Sequence, residues 1–383
     1  MKSTVDIPSL STTHSSAVPV EHVPSTSSKS PLPTKFHSLT FGRWCMCVGF
    51  CLLLAMCVLM VCLRYGTQVI DIQKIVYILF QSLTAVSSGD AAMDPTNVIL
   101  LHVRLPRLIL AFFVGGSLAA VGVSLQALLR NPLADPSVLG ISSGAALGAA
   151  VALLFGIGGS MWSLSALPIC AFLGAVLSLL IIYRIAVTQY GFSIYTLLLA
   201  GVVLSAIFSA LIMFLTSIAD PNRAFGMLAW LLGSLTGPDY ETLAILTVYL
   251  GIGLCVLGSQ AQSLNLLTLG EEAARSLGVE VERVKKMVFF ATALMTGAVV
   301  AFSGVIGFVG LIVPHAVRLA LGADHRLLLP LAALTGGMFL MAADTVARTL
   351  FSPAEIPVGV VTALVGGPIF LYLLMNRRAQ LVT

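Results

Sequence analysis

Gly140-Ile-Ser-Ser-Gly144 matches G-x-S-x-G, the pattern that lifts a serine nucleophile onto a strand-to-helix turn. That geometry needs a strand before it and a sheet beneath it, and here the pattern opens a long apolar run. Its serines and glycines, with Gly144 and Gly148 at G-x-x-x-G spacing, are instead expected to let helices pack closely. His102 and His315 have no second histidine or carboxylate at zinc-ligand spacing, and no H-E-x-x-H occurs, which removes a metalloprotease. No G-x-x-x-x-G-K-[ST] occurs either, so the chain cannot cradle a nucleotide phosphate by itself. Asp344 and Arg348, four residues apart in an apolar segment, read as an intrahelical pair that makes their burial tolerable.

Charge is dense only between Leu264 and Lys286. Thr268 and Glu271 have the T-x-x-E spacing of a capping box, and Gly278 sits where a left-handed residue would close a short helix. On that helix Ala273, Ala274 and Leu277 form a small apolar ridge amid Glu271, Glu272 and Arg275, a shape that suits a groove on a partner. The stretch is either a docking platform or a solvated connector between two membrane helices.

The elements that must hold these residues are set by composition. Hydrophobic residues make up 58% of the chain and charged ones 9%, against about 25% charged in a soluble domain. Apolar runs of bilayer-crossing length recur from Trp44 almost to the C-terminus, so the chain is an integral, all-α membrane protein. The runs are apolar all round rather than alternating, which excludes a β-barrel. Five of the seven cysteines lie in the first run, where a thiol acts as a small hydrophobe. The net charge of +4 is modest and no arginine-rich segment is interleaved with aromatics, so nucleic acid is not an expected partner.

Residues 1–40 are rich in Ser, Thr and Pro and are expected to form a disordered cytosolic tail. Ten spans are predicted, near 44–63, 108–129, 137–157, 164–183, 197–218, 242–260, 287–303, 305–322, 327–347 and 357–375, with a short tail at 379–383. Residues 64–103 read as a polar loop with a surface helix at 71–80, and 225–236 as a segment too short to cross. Arg130-Asn-Pro-Leu-Ala-Asp-Pro136 carries two prolines and is expected to be a tight, non-helical turn. With the N-terminus inside, fourteen of the twenty basic residues fall on the cytosolic side, as does the C-terminus. Five spans before the 219–241 region and five after it would make two inverted halves if the chain is a duplication.

Glu272-Ala-Ala-x-x-x-Gly278 resembles the EAA loop of ABC importer permeases. Arg104-Leu-Pro-Arg107, Gln126-Ala-Leu-Leu-Arg-Asn-Pro-Leu-Ala-Asp-Pro136, Leu139-Gly-Ile-Ser-Ser-Gly144, Leu198-Leu-Ala-Gly201, Gly304-x-x-Gly-Phe-Val-Gly-Leu-Ile-Val-Pro-His315 and Pro357-Val-Gly-Val-Val-Thr-Ala363 together resemble the iron-siderophore, haem and cobalamin permease family, over about residues 41–378. The resemblance implies a type II ABC importer permease: a ten-transmembrane-helix bundle with two inverted five-helix halves, paired as a homodimer whose axis is the pathway. It implies two ATP-binding subunits gripping a coupling loop at 263–286 through Gly270, Glu271, Glu272, Ala273, Ala274, Arg275, Leu277 and Gly278. ATP and Mg would sit on those subunits, with no cofactor on this chain.

A periplasmic or lipid-anchored binding protein would deliver the chelate to a bacterial inner-membrane complex. A cytosolic gate maps by motif onto Asn131, Pro132 and Leu133, with Ser193 and Thr196 facing them. Arg104, Arg107 and Arg348 are expected to form an outward patch that docks the binding protein through carboxylates. An ion-coupled secondary transporter or exporter with an incidental loop helix is the alternative.

Overall fold

The computed structural model describes residues 40–66, 68–84, 94–157, 160–161, 164–189, 191–235, 237 and 239–381. Residues 1–39 of the expected 1–40 tail and the last two residues lie outside them. The described chain runs α1 (Phe41–Arg64), α2 (Ile72–Thr84), α3 (Pro95–Val98), a π-helical stretch Ile99–Arg104, α4 (Leu105–Leu128), a 3-10 turn Pro136–Leu139, α5 (Ile141–Leu154), α6 (Ala166–Ala186), α7 (Ile194–Ile218) and α8 (Pro221–Leu231). It continues with α9 (Tyr240–Ser259), α10 (Ala261–Leu267), α11 (Glu271–Ser276), α12 (Val281–Ser303), α13 (Val309–Leu321), α14 (His325–Thr349) and α15 (Val358–Leu381). Two-residue antiparallel hairpins, β1 (Ser160–Met161) with β2 (Leu164–Ser165) and β3 (Val187–Thr188) with β4 (Gly191–Phe192), are the extended pairs among the described residues.

Seven helices in the described residues are long and apolar enough to cross a membrane, and three shorter apolar helices, Ile141–Leu154, Val309–Leu321 and Val358–Tyr372, stand at three further predicted positions. The second long helix departs from expectation, because it starts at Pro95 where the sequence reads as a polar loop. Asp94 caps that start through Thr96 N (2.9 Å), and Lys74 holds the Asp94 carboxylate at 2.9 Å. These bonds draw the Asp94 carboxyl down to about 2.

α4 is the axis of the bundle. Nearly every residue in it is buried, and it packs against α12, α13 and α14. Small residues make this possible, since without a hydrophobic drive between helices in lipid the backbones must approach closely to gain contact. A Cβ on Gly122 would stand 1.9 Å from the Gly310 carbonyl oxygen, and one on Gly115 2.2 Å from that of Gly336. The same device joins α5 to α6, where Cβ atoms at Gly144 and Gly148 would meet the Gly174 and Cys170 carbonyls. Gly122→Ala is therefore expected to reduce the recovery of folded, monodisperse protein sharply. Gly251→Ala, in open space, should not, and size-exclusion profiles of the two variants check this.

Candidate functional site

The dense charge condenses into a short helix standing on the start of a long one. α11 spans only six residues, and its first residue is preceded by Gly270 at φ 119°, with no side-chain cap. The expected capping box is thus corrected. Thr268 ends α10 as its C-terminal cap and turns its hydroxyl back onto the Asn265 carbonyl at 2.6 Å, so it does not cap α11. The far end matches expectation: Gly278 takes φ +86°, Gly278 N donates to Arg275 O (3.0 Å) and Val279 N to Ala274 O (3.0 Å). Both bonds of a Schellman closure are present. A Cβ on Gly278 would meet nothing within 4 Å, so Gly278→Val is expected to cost about 1–2 kcal/mol through conformation alone. Faster hydrogen exchange at the Val279 amide is the readout.

The apolar ridge is also corrected. Ala274 is fully buried against the chain itself, whereas Leu277 is 60% exposed and Glu272, Arg275 and Ser276 point outward. The surface available to a partner is therefore Glu272, Arg275, Ser276, Leu277 and Gly278, with Leu269 of the preceding turn, 68% exposed, beside it. Arg283 to Lys286 are not loop residues: α12 begins at Val281, so they form its first turns.

Underneath, Lys285 is 4% exposed. Its ammonium lies 2.7 Å from Glu271 Oε2 and 3.4 Å from Glu282 Oε1, and Arg275 stands 3.9 and 4.0 Å from the same two carboxylates. Glu282 then accepts a hydrogen bond from Phe192 N at 2.9 Å. Phe192 ends the β3–β4 hairpin and is buried against Phe289 (5.4 Å between centroids) and Tyr183 (6.2 Å). The next residue, Ser193, caps α7 by accepting from Thr196 N (3.3 Å) and the Thr196 hydroxyl (2.9 Å). An unbroken line of contacts thus runs from the exposed helix α11 through Lys285 and Glu282 to the first turn of α7. Sequence gave no sign of this line beyond charge density, because Glu282 and Phe192 are ninety residues apart.

The turn 130–136 is non-helical, as its prolines require. Arg130 has φ 48°, Asn131 Oδ1 accepts from Leu133 N (2.9 Å), and Asp135 caps the 3-10 turn through Ser137 N (2.9 Å). Leu133 is 47% exposed. It is the 3-10 turn after 130–136 that meets α7, further along than Ser193 and Thr196: a Cβ on Gly201 would touch the Val138 carbonyl at 2.7 Å.

The outward arginine patch does not stand as expected, since Arg104, Arg107 and Arg348 are 3%, 8% and 6% exposed. Arg104 donates to the carbonyls of Leu63 (2.8 Å), Arg64 (3.3 Å) and Gln68, so it neutralises the C-terminal end of α1. Arg107 bridges Asp344 (2.9 Å) and Glu355 (2.9 Å). Arg348 Nε lies 3.2 Å from Asp344 Oδ2, off line for a hydrogen bond, so that contact is an ion pair by charge alone. The expected Asp344–Arg348 pair is present and Arg107 joins it.

Bilayer-length helices packed through small residues, with a short exposed helix wired to their bundle, make this a multi-span membrane protein. The description of the FecCD transport family matches residues 52–376. The chain belongs to the FecCD transport family. It is 45% identical over 305 residues to the hemin transport system permease protein HmuU of Yersinia pestis, covering 79% of this chain and 89% of that one. It is 44% identical over 287 residues to the cobalamin import system permease protein BtuC of Halobacterium salinarum, covering 75% and 76%. Among solved structures, an inward-facing conformation of a transporter described as an ABC transporter of the metal-chelate type superposes with a TM-score of 0.73 at 32% identity, covering 86% of this chain and 98% of that one. This FecCD chain is accordingly a membrane permease subunit of an ABC importer and not an enzyme.

Proposed function

We propose that this FecCD permease imports a metal chelate of the ferric-siderophore, haem or cobalamin kind, as one of two identical subunits whose shared axis is the pathway. Two separate ATP-binding subunits supply the energy, holding ATP and Mg themselves, and grip α11. The observation that carries the reading is the buried Lys285 between Glu271 and Glu282, which joins an exposed helix to the start of a membrane helix. Such a connection carries a push on α11 to α12 and to the start of α7.

In this reading the α11 end of the bundle and both termini are cytosolic, the membrane is a bacterial inner membrane, and ten helices cross it as two inverted sets of five. Asn131, Pro132 and Leu133 close the pathway at the cytosolic end, and the line of contacts from α11 moves Ser193, Thr196 and α7 against that turn. A periplasmic or lipid-anchored protein delivers the chelate at the opposite end. Glu355, with its side chain 44% exposed, is the most accessible partner of the arginine cluster, so a carboxylate on that protein reaches Arg107 by displacing Glu355.

The ion-coupled reading would require an uncompensated carboxylate within the bundle, whereas Asp344 sits between Arg107 and Arg348. Uptake of labelled haem and cobalamin into proteoliposomes, with the ATPase subunit inside, decides between them. Uptake is expected with ATP and no ion gradient; uptake driven by a proton or sodium gradient without the ATPase would refute the proposal.

A further inference from the structure

Both α1 and α9 pack on the pair α4 and α14, and residues of all four helices line an apolar groove of about 560 Å³. On α1 the lining residues Trp44, Val48 and Leu52 recur every four positions, which is one face of the helix. Eight residues of helix rise about 12 Å, and the α14 lining, from His325 to Leu334, covers a similar height. A hydrocarbon core about 30 Å thick makes each leaflet about 15 Å deep. Because the groove begins in the first turns of α1 and α14, it runs from one membrane surface to near the bilayer midplane.

Its two ends differ. The mouth carries the Trp44 indole, His325 and Arg326, whose side chain is 50% exposed, groups suited to headgroup level. The inner end carries Leu52, Phe112 and Leu334. The mouth is also tied. Pro330 has no N–H, which frees the Arg326 carbonyl four residues earlier, and Trp44 Nε1 donates to that carbonyl at 3.1 Å. This bond holds α1 to α14 at the surface, while on α9 Gly258 leaves the groove open: a Cβ there would meet nothing within 4 Å.

We infer that the groove holds one acyl chain of a membrane phospholipid, with the headgroup level with Trp44 and Arg326. An apolar slot of one-leaflet depth offers water no partners, and its single polar end sets the direction of the chain. The lipid supplies the neighbour that the protein withholds from α1, whose spanning window is only 17% buried. Bound there, it packs α1 to α9.

The test uses the purified full chain, washed exhaustively in detergent and weighed by native mass spectrometry. Thermal unfolding is read before and after adding back palmitoyl-oleoyl phosphatidylethanolamine. One phospholipid per chain is expected to survive the wash. Gly258→Leu and Val48→Phe should each cut its retention about tenfold, the loss expected when a few buried methylenes are displaced. They fill the groove from different helices, so misfolding of one leaves the other to decide. Gly251→Leu, also on α9 in open space but outside the groove, should leave retention unchanged. Added lipid should raise the Tm of the washed natural chain and not that of Gly258→Leu. A washed natural chain without phospholipid, or retention indifferent to both filling variants, overturns the assignment. So does a lipid-free oligomer that Gly258→Leu dissociates, which would give the groove to a second copy of the chain.

Discussion

Lys285→Met is expected to cut ATP-driven chelate uptake roughly 10–100-fold while the chain still inserts and folds. The buried ammonium stands between two carboxylates, Glu271 at 2.7 Å and Glu282 at 3.4 Å. The two carboxylates keep 27% and 40% of their side chains exposed and are partly solvated when the ammonium goes, so the loss is that of a charge-assisted hydrogen bond, about 1.5–3 kcal/mol, and at 1.4 kcal/mol per factor of ten the coupled arrangement of α11, α12 and the β3–β4 hairpin becomes roughly 10–100-fold rarer. Arg275 does not compensate, being about 4 Å away and 59% exposed at its side chain. The loss should appear as uncoupling: ATP hydrolysis by the assembled complex persists while uptake falls. A Lys285→Met complex that transports normally removes the line of contacts from the account.

A second large effect is expected at the opposite end of the bundle, on stability. Asp344 is fully buried between Arg107 (2.9 Å) and Arg348 (3.2 Å). Asp344→Leu leaves two buried guanidiniums with Glu355 as their only acidic partner among the described residues, at a cost of about 3–5 kcal/mol. Thermal unfolding in detergent should show a clear drop in Tm. Adding Arg107→Leu to Asp344→Leu should recover part of it, because the second change removes the uncompensated charge. If the double variant is as unstable as the two single losses summed, the three residues are not acting as one cluster.

These two sites show what the sequence made legible and what it did not. The apolar runs were readable because hydropathy is a local property, and each predicted run coincides with an apolar helix. The 130–136 turn was readable from its prolines, and the end of α11 from Gly278, because both are fixed by backbone sterics within a few residues. Pairings across the chain were not. Arg104 reads as an exposed loop cation because its acceptors are carbonyls some forty residues earlier. Arg107 finds Asp344 across 237 residues. Helical spacing puts Ala274 on a presented ridge with Ala273 and Leu277, but spacing fixes which residues share a face and not which face the fold covers, and Ala274 is buried. The end of the 64–103 stretch reads as loop because its composition is mixed and moderately polar, yet from Pro95 on it is helical. The Asp94 cap and the burial of Arg104 favour that state.

The central claim, that a separate ATPase grips α11, is tested most directly by cross-linking. Leu277→Cys and Phe351→Cys, 60% and 63% exposed and at opposite ends of the bundle, would each be placed in a chain whose seven natural cysteines are replaced. Each would then be assembled with ATPase subunits that carry single cysteines across their membrane-facing groove. The account predicts a cross-link from position 277 whose yield changes when ATP binds, and none from position 351. An assembly that transports chelate while position 277 never cross-links to the ATPase would contradict it.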